Sequence, residues 1–117
     1  MQSTLTPLER QLVAQVARQA QAEPSAVGVW VFGSRARGDA TDNSDFDIAV
    51  EFAAAETAPL REWLERVRRV AEEPVVDQWP GFVNLIGLYA GDIDTCLARQ
   101  VRAEGVAVWV RHRAAQS

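Results

Sequence analysis

The stretch Val27–Phe52, V-G-V-W-V-F-G-S-R-A-R-G-D-A-T-D-N-S-D-F-D-I-A-V-E-F, decides the fold of this chain. It predicts a strand over Val29–Phe32, a Gly-Ser turn, a short arginine-bearing segment, a polar loop and a second strand. Alternate side chains of a strand share one face. The second strand therefore has an apolar face that can join a core and an acidic face opposite to it.

Two aspartates open the second strand. Asp45 and Asp47 are expected on the same face, roughly 7 Å apart at the backbone. Two carboxylates this close repel each other unless a cation lies between them. Mg²⁺ suits such a pair because it uses few protein carboxylates and completes its octahedron with water and phosphate oxygens. We therefore expect Asp45 and Asp47 to bind Mg²⁺.

The turn between the two strands predicts a phosphate site. Gly33 can adopt a positive φ and allows close approach of a ligand to the backbone. Ser34 adds a hydroxyl group, and successive backbone N–H groups in such a turn can bind an anion. Arg35 and Arg37 follow with planar guanidinium groups that match phosphate oxygens. A phosphate site beside a metal site indicates a nucleoside triphosphate ligand.

This motif resembles that of a known family. Gly33-Ser34, ten residues and then Asp45-x-Asp47 are similar to the signature of the polymerase-β-like nucleotidyltransferases. G-S-R-A-R-G followed by S-D-F-D-I resembles in particular the minimal nucleotidyltransferases of prokaryotes, and the resemblance covers most of the chain. It implies an α/β (α+β) core in which three helices pack on a mixed sheet of about four strands.

The chain departs from the family at a third carboxylate. The resemblance implies an acid on the strand after the second long helix, and the matching residue here is Asn84. Asn has the shape of Asp but carries no charge and cannot accept a proton. If that acid is the general base, its loss slows transfer by roughly 10²–10⁴-fold. Alternatively, Val75-Val76-Asp77 forms the strand in question, and Asp77 supplies the acid.

The rest of the chain predicts helices and strands around this stretch. Thr6-Pro7-Leu8-Glu9 is typical of a helix start with a capping box. A last helix is expected to begin at Asp92 or Asp94 and to end at Gly105 in the left-handed conformation. The order helix, strand, strand, helix, strand, helix, strand predicts a mixed sheet covered by helices.

Length and composition set the broad class. At 117 residues, the chain is expected to form one domain, residues 1–117. The net charge of −4 argues against a general nucleic-acid-binding protein. No apolar run is long enough to span a membrane. Cys96 is the single cysteine, which excludes an intrachain disulfide and favours a cytoplasmic protein.

The resemblance implies a Mg²⁺-dependent enzyme that transfers AMP from ATP to a hydroxyl group. Minimal nucleotidyltransferases commonly act as antitoxins that AMPylate a tyrosine of a helical HEPN-type toxin, which implies such a partner and a homo- or hetero-oligomer. Asn84 leaves a second interpretation, a catalytically weakened module that binds nucleotide or partner and neutralises the partner by contact. Transfer to a small molecule ranks last because it usually needs an additional domain or a dimer to build the acceptor pocket.

Overall fold

The computed structural model describes residues 5–37, 45–53, 60–75, 77, 83–90 and 95–111. Its helices are α1 (Pro7–Gln21), α2 (Ser34–Arg37), α3 (Leu60–Glu72) and α4 (Cys96–Glu104), and its strands are β1 (Ala26–Phe32), β2 (Phe46–Phe52), β3 (Val83–Tyr89) and β4 (Val106–Val110). The expected α/β fold and order of elements are confirmed, with the four-residue α2 as an addition. Among these described helices, none has the length and apolar character needed to cross a membrane.

The four strands form one mixed sheet in the order β3-β2-β1-β4. Strand β1 runs antiparallel to β2 and β4, whereas β2 and β3 are parallel. The register places Phe32 opposite Asp47 and Asp47 opposite Asn84. The end of β1, the beginning of β2 and the beginning of β3 therefore meet at one edge of the sheet.

The main core lies between this sheet and helices α1 and α3. The apolar face of β2 is fully buried there, as its alternation predicts: Phe46, Ile48, Val50 and Phe52. Phe52 packs edge-on against Trp63 of α3, with 5.5 Å between the ring centroids. Such edge-to-face aromatic pairs add stability beyond the burial of their area. This core holds β2 in its register.

Helix α4 covers part of the opposite face of the sheet. A smaller cluster of buried residues lies under it: Phe32, Ala49, Leu88 and Val101. Ala49 is fully buried although it shares a face with Asp47. The acidic face of β2 is therefore covered along its middle, and its polar end is half-buried at Asp47 and exposed at Asp45.

Helix α1 begins at the predicted capping box. The Thr6 side chain accepts a hydrogen bond from the Glu9 backbone N–H at 3.1 Å, and the Glu9 carboxylate accepts one from the Thr6 N–H at 2.8 Å. Both partners satisfy backbone donors that the first helical turn leaves without intrahelical acceptors. The local sequence alone specifies this helix start.

Helix α4 differs from the prediction at both ends. Its N-cap is Thr95, whose hydroxyl accepts the Ala98 N–H at 3.1 Å, and not Asp92 or Asp94, which lie outside the described residues. Gly105 ends the helix with φ −70° and ψ 145°, an extended conformation and not the left-handed one. Glycine is required there for space, because a Cβ would overlap the carbonyl oxygen of Val101.

The prediction of a strand over Val75-Val76-Asp77 is wrong. Glu73–Val75 forms a 3-10 helix that continues α3, and Val75 is buried in the main core. Such tight turns are frequent at the ends of α-helices. Asp77 follows in an exposed turn, and Val76 lies outside the described residues.

Replacing Phe52 tests the main core. Phe52→Ala should lower the free energy of unfolding by about 3–5 kcal/mol, because it removes a fully buried ring and leaves a cavity beside Trp63. Urea denaturation followed by tryptophan fluorescence measures the change. Val110→Ala is the matched control, since Val110 is 57% exposed and should cost within about 0.5 kcal/mol. Equal losses in both variants would contradict this assignment of the core.

Candidate active site

Asp47 lies where the ends of three strands meet. Its Oδ1 accepts a hydrogen bond from the Asn84 side-chain amide at 3.1 Å. Its Oδ2 lies against Gly33, so closely that a Cβ added to Gly33 would overlap it. The structure therefore brings together the glycine of the turn, the second aspartate of the pair and the asparagine of β3, although Asp47 and Asn84 are 37 positions apart.

The turn after β1 has the conformation that the sequence predicts. Gly33 has φ 78°, a region that side-chain-bearing residues rarely adopt. Its carbonyl oxygen accepts the Arg37 backbone N–H at 3.1 Å and closes the short helix α2. Its own N–H donates to the Glu104 carboxylate at 2.9 Å.

Glu104, the last residue of α4, joins the site from a distant part of the chain. Its two carboxylate oxygens accept hydrogen bonds from Arg37 Nη1 at 3.1 and 3.2 Å, and Oε2 also accepts from the Gln100 amide at 2.8 Å. The hydrogen bond from Gln100, followed by those from Arg37 and Gly33, lowers the pKa of Glu104 below its ordinary value. Sequence reasoning missed this residue because 71 positions separate it from Gly33 and no local motif marks it.

The electrostatics of the site centre on Asp47. Partial burial raises the pKa of Asp47 above its ordinary value, and the nearby charge of Asp45 raises it further. The hydrogen bond from Asn84 and the positive charge of Arg37 act in the opposite direction and lower this pKa. The site therefore favours a neutralising cation or proton beside Asp47.

The other residues that the sequence predicts for the site differ in their exposure and in their position relative to Asp47. Arg37 is 46% exposed and forms an ion pair with Glu104. The backbones of Ser34 and Arg35 belong to α2, and their side chains lie outside the described part of the chain. Asn84, and not Asp77, is in register with Asp47. The catalytic and metal-binding roles of these residues stay predictions.

The sequence also matches a known family. A family model of the nucleotidyltransferase domain matches residues 11–86. The chain belongs to the nucleotidyltransferase domain family. A solved structure from Sulfolobus solfataricus, assigned as a nucleotidyltransferase, is 28% identical and superposes with a TM-score of 0.56 over 97% of this chain and 92% of that chain. A comparison with curated proteins finds no match.

Toxin–antitoxin complexes share the fold of this nucleotidyltransferase. One, crystallised with AMP-PNP, is 21% identical with a TM-score of 0.59 and covers 85% of this chain and 73% of that chain. Another, a mutant MntA-HpeT complex with two Asp→Glu substitutions, is 18% identical with a TM-score of 0.57 and the same coverage. At these identities the likeness shows the fold alone.

The described side chains of this nucleotidyltransferase are too few to bind a Mg²⁺ ion by themselves, but they suffice for a Mg²⁺ ion that also binds a phosphate ligand. Within the described ranges, no group of three or more His, Cys, Asp and Glu side chains could hold a metal ion. Mg²⁺ commonly takes one or two carboxylates and completes its octahedron with water and substrate phosphates. Asp45 and Asp47 match that requirement, and their mutual repulsion supplies the electrostatic reason for a cation.

Glu51 anchors α4 over the same face of the sheet. Its carboxylate accepts the Trp30 indole N–H at 3.1 Å and pairs with Arg102 of α4 at 3.1 Å. This contact is separate from the pair between Glu104 and Arg37. Two ion pairs therefore hold the second half of α4, one beside the candidate site and one at Glu51.

Replacing Gly33 tests the close packing of the turn. Gly33→Ala should lower the free energy of unfolding by about 1–3 kcal/mol, because Ala disfavours the positive φ and its Cβ overlaps the Asp47 carboxylate. Urea denaturation measures the loss. In the control Gly28→Ala, the nearest atom to the new Cβ is Trp30 Nε1 at 3.1 Å, which needs to shift by only a few tenths of an ångström, so the loss should be smaller. A smaller loss at Gly33 than at Gly28 would contradict the geometry.

The raised pKa of Asp47 predicts that the free energy of unfolding depends on pH. In the unfolded chain its carboxyl titrates near 3.8, and its pKa is higher in the folded protein. The folded state therefore binds more protons in the window above 3.8, and the contribution of Asp47 to the free energy of unfolding falls as pH rises through that window.

Asp47→Asn removes this titration. Its free energy of unfolding relative to the parent should therefore increase as pH rises from about 3.5 to about 7. Denaturant titrations of both proteins across this pH range measure the difference. A constant difference would show that Asp47 titrates in the folded protein as it does in the unfolded chain.

Proposed function

We propose that this nucleotidyltransferase transfers AMP from ATP to a hydroxyl group. The observation that carries the proposal is the position of Asp47, which contacts the Gly33 turn on one side and Asn84 on the other. A carboxylate that binds a metal next to a turn that binds phosphates is the arrangement that phosphoryl transfer needs, since this chemistry depends on positioning and electrostatic stabilisation. The structural neighbour crystallised with AMP-PNP supports ATP as the nucleotide.

The ligand would be held from two sides. The Gly33 N–H, the Ser34 hydroxyl and the guanidinium groups of Arg35 and Arg37 would bind the β and γ phosphates. Asp45 and Asp47 would hold Mg²⁺, which supplies positive charge against the triphosphate when bound. The MntA-HpeT neighbour with two Asp→Glu substitutions supports a role for an aspartate pair.

The reaction then requires one bond to form and one to break. The acceptor oxygen attacks the α-phosphorus in line while pyrophosphate leaves. Asn84 cannot accept the proton of the attacking hydroxyl. This proton must pass to another base or to solvent, so we expect the chain to be slower than a relative with a third carboxylate.

The acceptor is proposed to be a tyrosine of a HEPN-type toxin, with this chain as its antitoxin in the cytoplasm. Toxin–antitoxin complexes with the same fold support a partner of this kind. We propose residues 1–117 as one minimal nucleotidyltransferase domain, with the acceptor on a separate protein. Enzyme and partner would then form a hetero-oligomer.

A second candidate function is a module that binds its partner or nucleotide and performs little chemistry. The hydrogen bond between Asn84 and Asp47 favours it, because a neutral amide stands where a third acid would otherwise act. In this case the antitoxin neutralises its partner by contact. Calorimetric binding of Mg²⁺–ATP without label transfer would identify this function.

A label-transfer assay tests the enzymatic proposal. The chain is incubated with α-phosphate-labelled ATP, Mg²⁺ and a helical HEPN-type toxin as the partner, and label on the partner is measured. Asp47→Asn should lower the rate at least about 10²-fold, and Asn84→Asp should raise it by roughly 10²–10⁴-fold if it restores a general base. Labelled tyrosine in the digested partner would identify the acceptor.

Asp77→Asn is the matched control, because Asp77 lies in an exposed turn outside the strand register of the site. It should keep the rate of the parent. A loss in Asp77→Asn as large as that in Asp47→Asn would assign the third acid to Asp77. No label in the parent or in Asn84→Asp, with nucleotide binding intact, would reject the transfer reaction.

A further inference from the structure

We propose that the Glu104 carboxylate occupies the phosphate seat and must leave it before a nucleotide binds. The phosphate seat is defined here as three donors: the Gly33 N–H, the Arg37 guanidinium and the Gln100 side-chain amide. The inference rests on the proposed function, because it takes the Gly33 turn as the site of the triphosphate. Under this proposal, Glu104 competes with the substrate for these three donors.

All three donors converge on one side chain. Glu104 Oε2 accepts from Gly33 N at 2.9 Å, from Gln100 Nε2 at 2.8 Å and from Arg37 Nη1 at 3.2 Å, and Oε1 accepts from the same arginine nitrogen at 3.1 Å. A backbone N–H and a guanidinium that bind a carboxylate are also the donors that bind a phosphate oxygen. Glu104 therefore takes the place of an anionic ligand.

Two anions cannot share this seat. A phosphate oxygen at the Gly33 N–H would stand where the carboxylate oxygen stands, and the two negative charges would repel each other at that distance. Glu104 also lies near enough to Asp47 for its charge to raise the pKa of Asp47. Departure of Glu104 therefore opens the Gly33 N–H to a ligand oxygen and removes one negative charge from the site.

The surroundings allow the side chain to move without the helix. The Glu104 and Arg37 side chains are 22% and 46% exposed, so the released carboxylate can be rehydrated. Arg102 holds α4 to Glu51 independently of Glu104. The buried residues Ala98 and Val101 keep the helix on the sheet as well. The exchange therefore needs a rotation of one side chain, with α4 in place.

Isothermal titration calorimetry of the full chain with Mg²⁺–ATP, and separately with Mg²⁺–tripolyphosphate, tests the inference. Glu104→Gln keeps the shape of the side chain and removes the charge. It should bind both ligands about three- to ten-fold more tightly than the parent, as expected for the loss of a partly exposed competing ion pair. An equal gain in affinity for both ligands would show that Glu104 competes with the phosphate groups, which the two ligands share.

Two further variants keep the test decisive. Glu104→Asp retains the negative charge but withdraws the carboxylate by one methylene, and it should also bind more tightly if occupation of the seat is the cause. Arg102→Gln breaks the other ion pair of α4 and should leave both affinities unchanged. Thermal denaturation of each variant confirms that it is folded at the temperature of the titration.

The outcomes separate this inference from the proposed function. Equal or weaker binding by Glu104→Gln would overturn the inference and would show that Glu104 holds Arg37 in position for the ligand. Absence of phosphate binding in the parent and in both Glu104 variants would overturn it as well. Both Glu104 variants could bind the ligands more tightly while no label is transferred to the partner. This result would reject the transfer reaction but support the competition between Glu104 and the phosphates.

Discussion

The alternation of side chains along β2 is the constraint on which the rest of the structure depends. The strand must bury Phe46 and Ile48 on one face while it presents Asp47 on the other. A shift of register by one residue would exchange the two sets and place the carboxylate in the core. Packing against α1 and α3 therefore also fixes the position of the acid, so that stability and site geometry depend on the same register.

The charges of the site form a second constraint. Asp47 is half-buried beside Asp45, and both burial and this neighbour disfavour its ionised form. Asn84 relieves part of that cost as a hydrogen-bond donor, whereas a third carboxylate in its place would add to the repulsion. Under the proposed function, the asparagine would thus stabilise the site at the expense of proton transfer. Such an exchange between stability and activity is common at catalytic sites.

Local patterns predicted much of the fold. The capping box at Thr6, the two-residue period of β2 and the positive φ of Gly33 depend on neighbouring residues, and the structure has all three. The predictions that were wrong concern segments in which packing outweighs local preference. Val75 enters the core from a 3-10 helix at the end of α3, and the glycine at position 105 is explained by the missing space for a Cβ beside Val101 and not by a left-handed conformation.

The sequence by itself determined the family, the order of elements and the residues of the turn and the acidic pair, because each is encoded within a few neighbouring positions. Only the tertiary structure decided that Asn84 stands beside Asp47 and that Glu104 binds the Gly33 turn. These contacts join residues that are 37 and 71 positions apart. They exist because strand pairing and the packing of α4 bring distant segments together, and no local sequence pattern records that proximity.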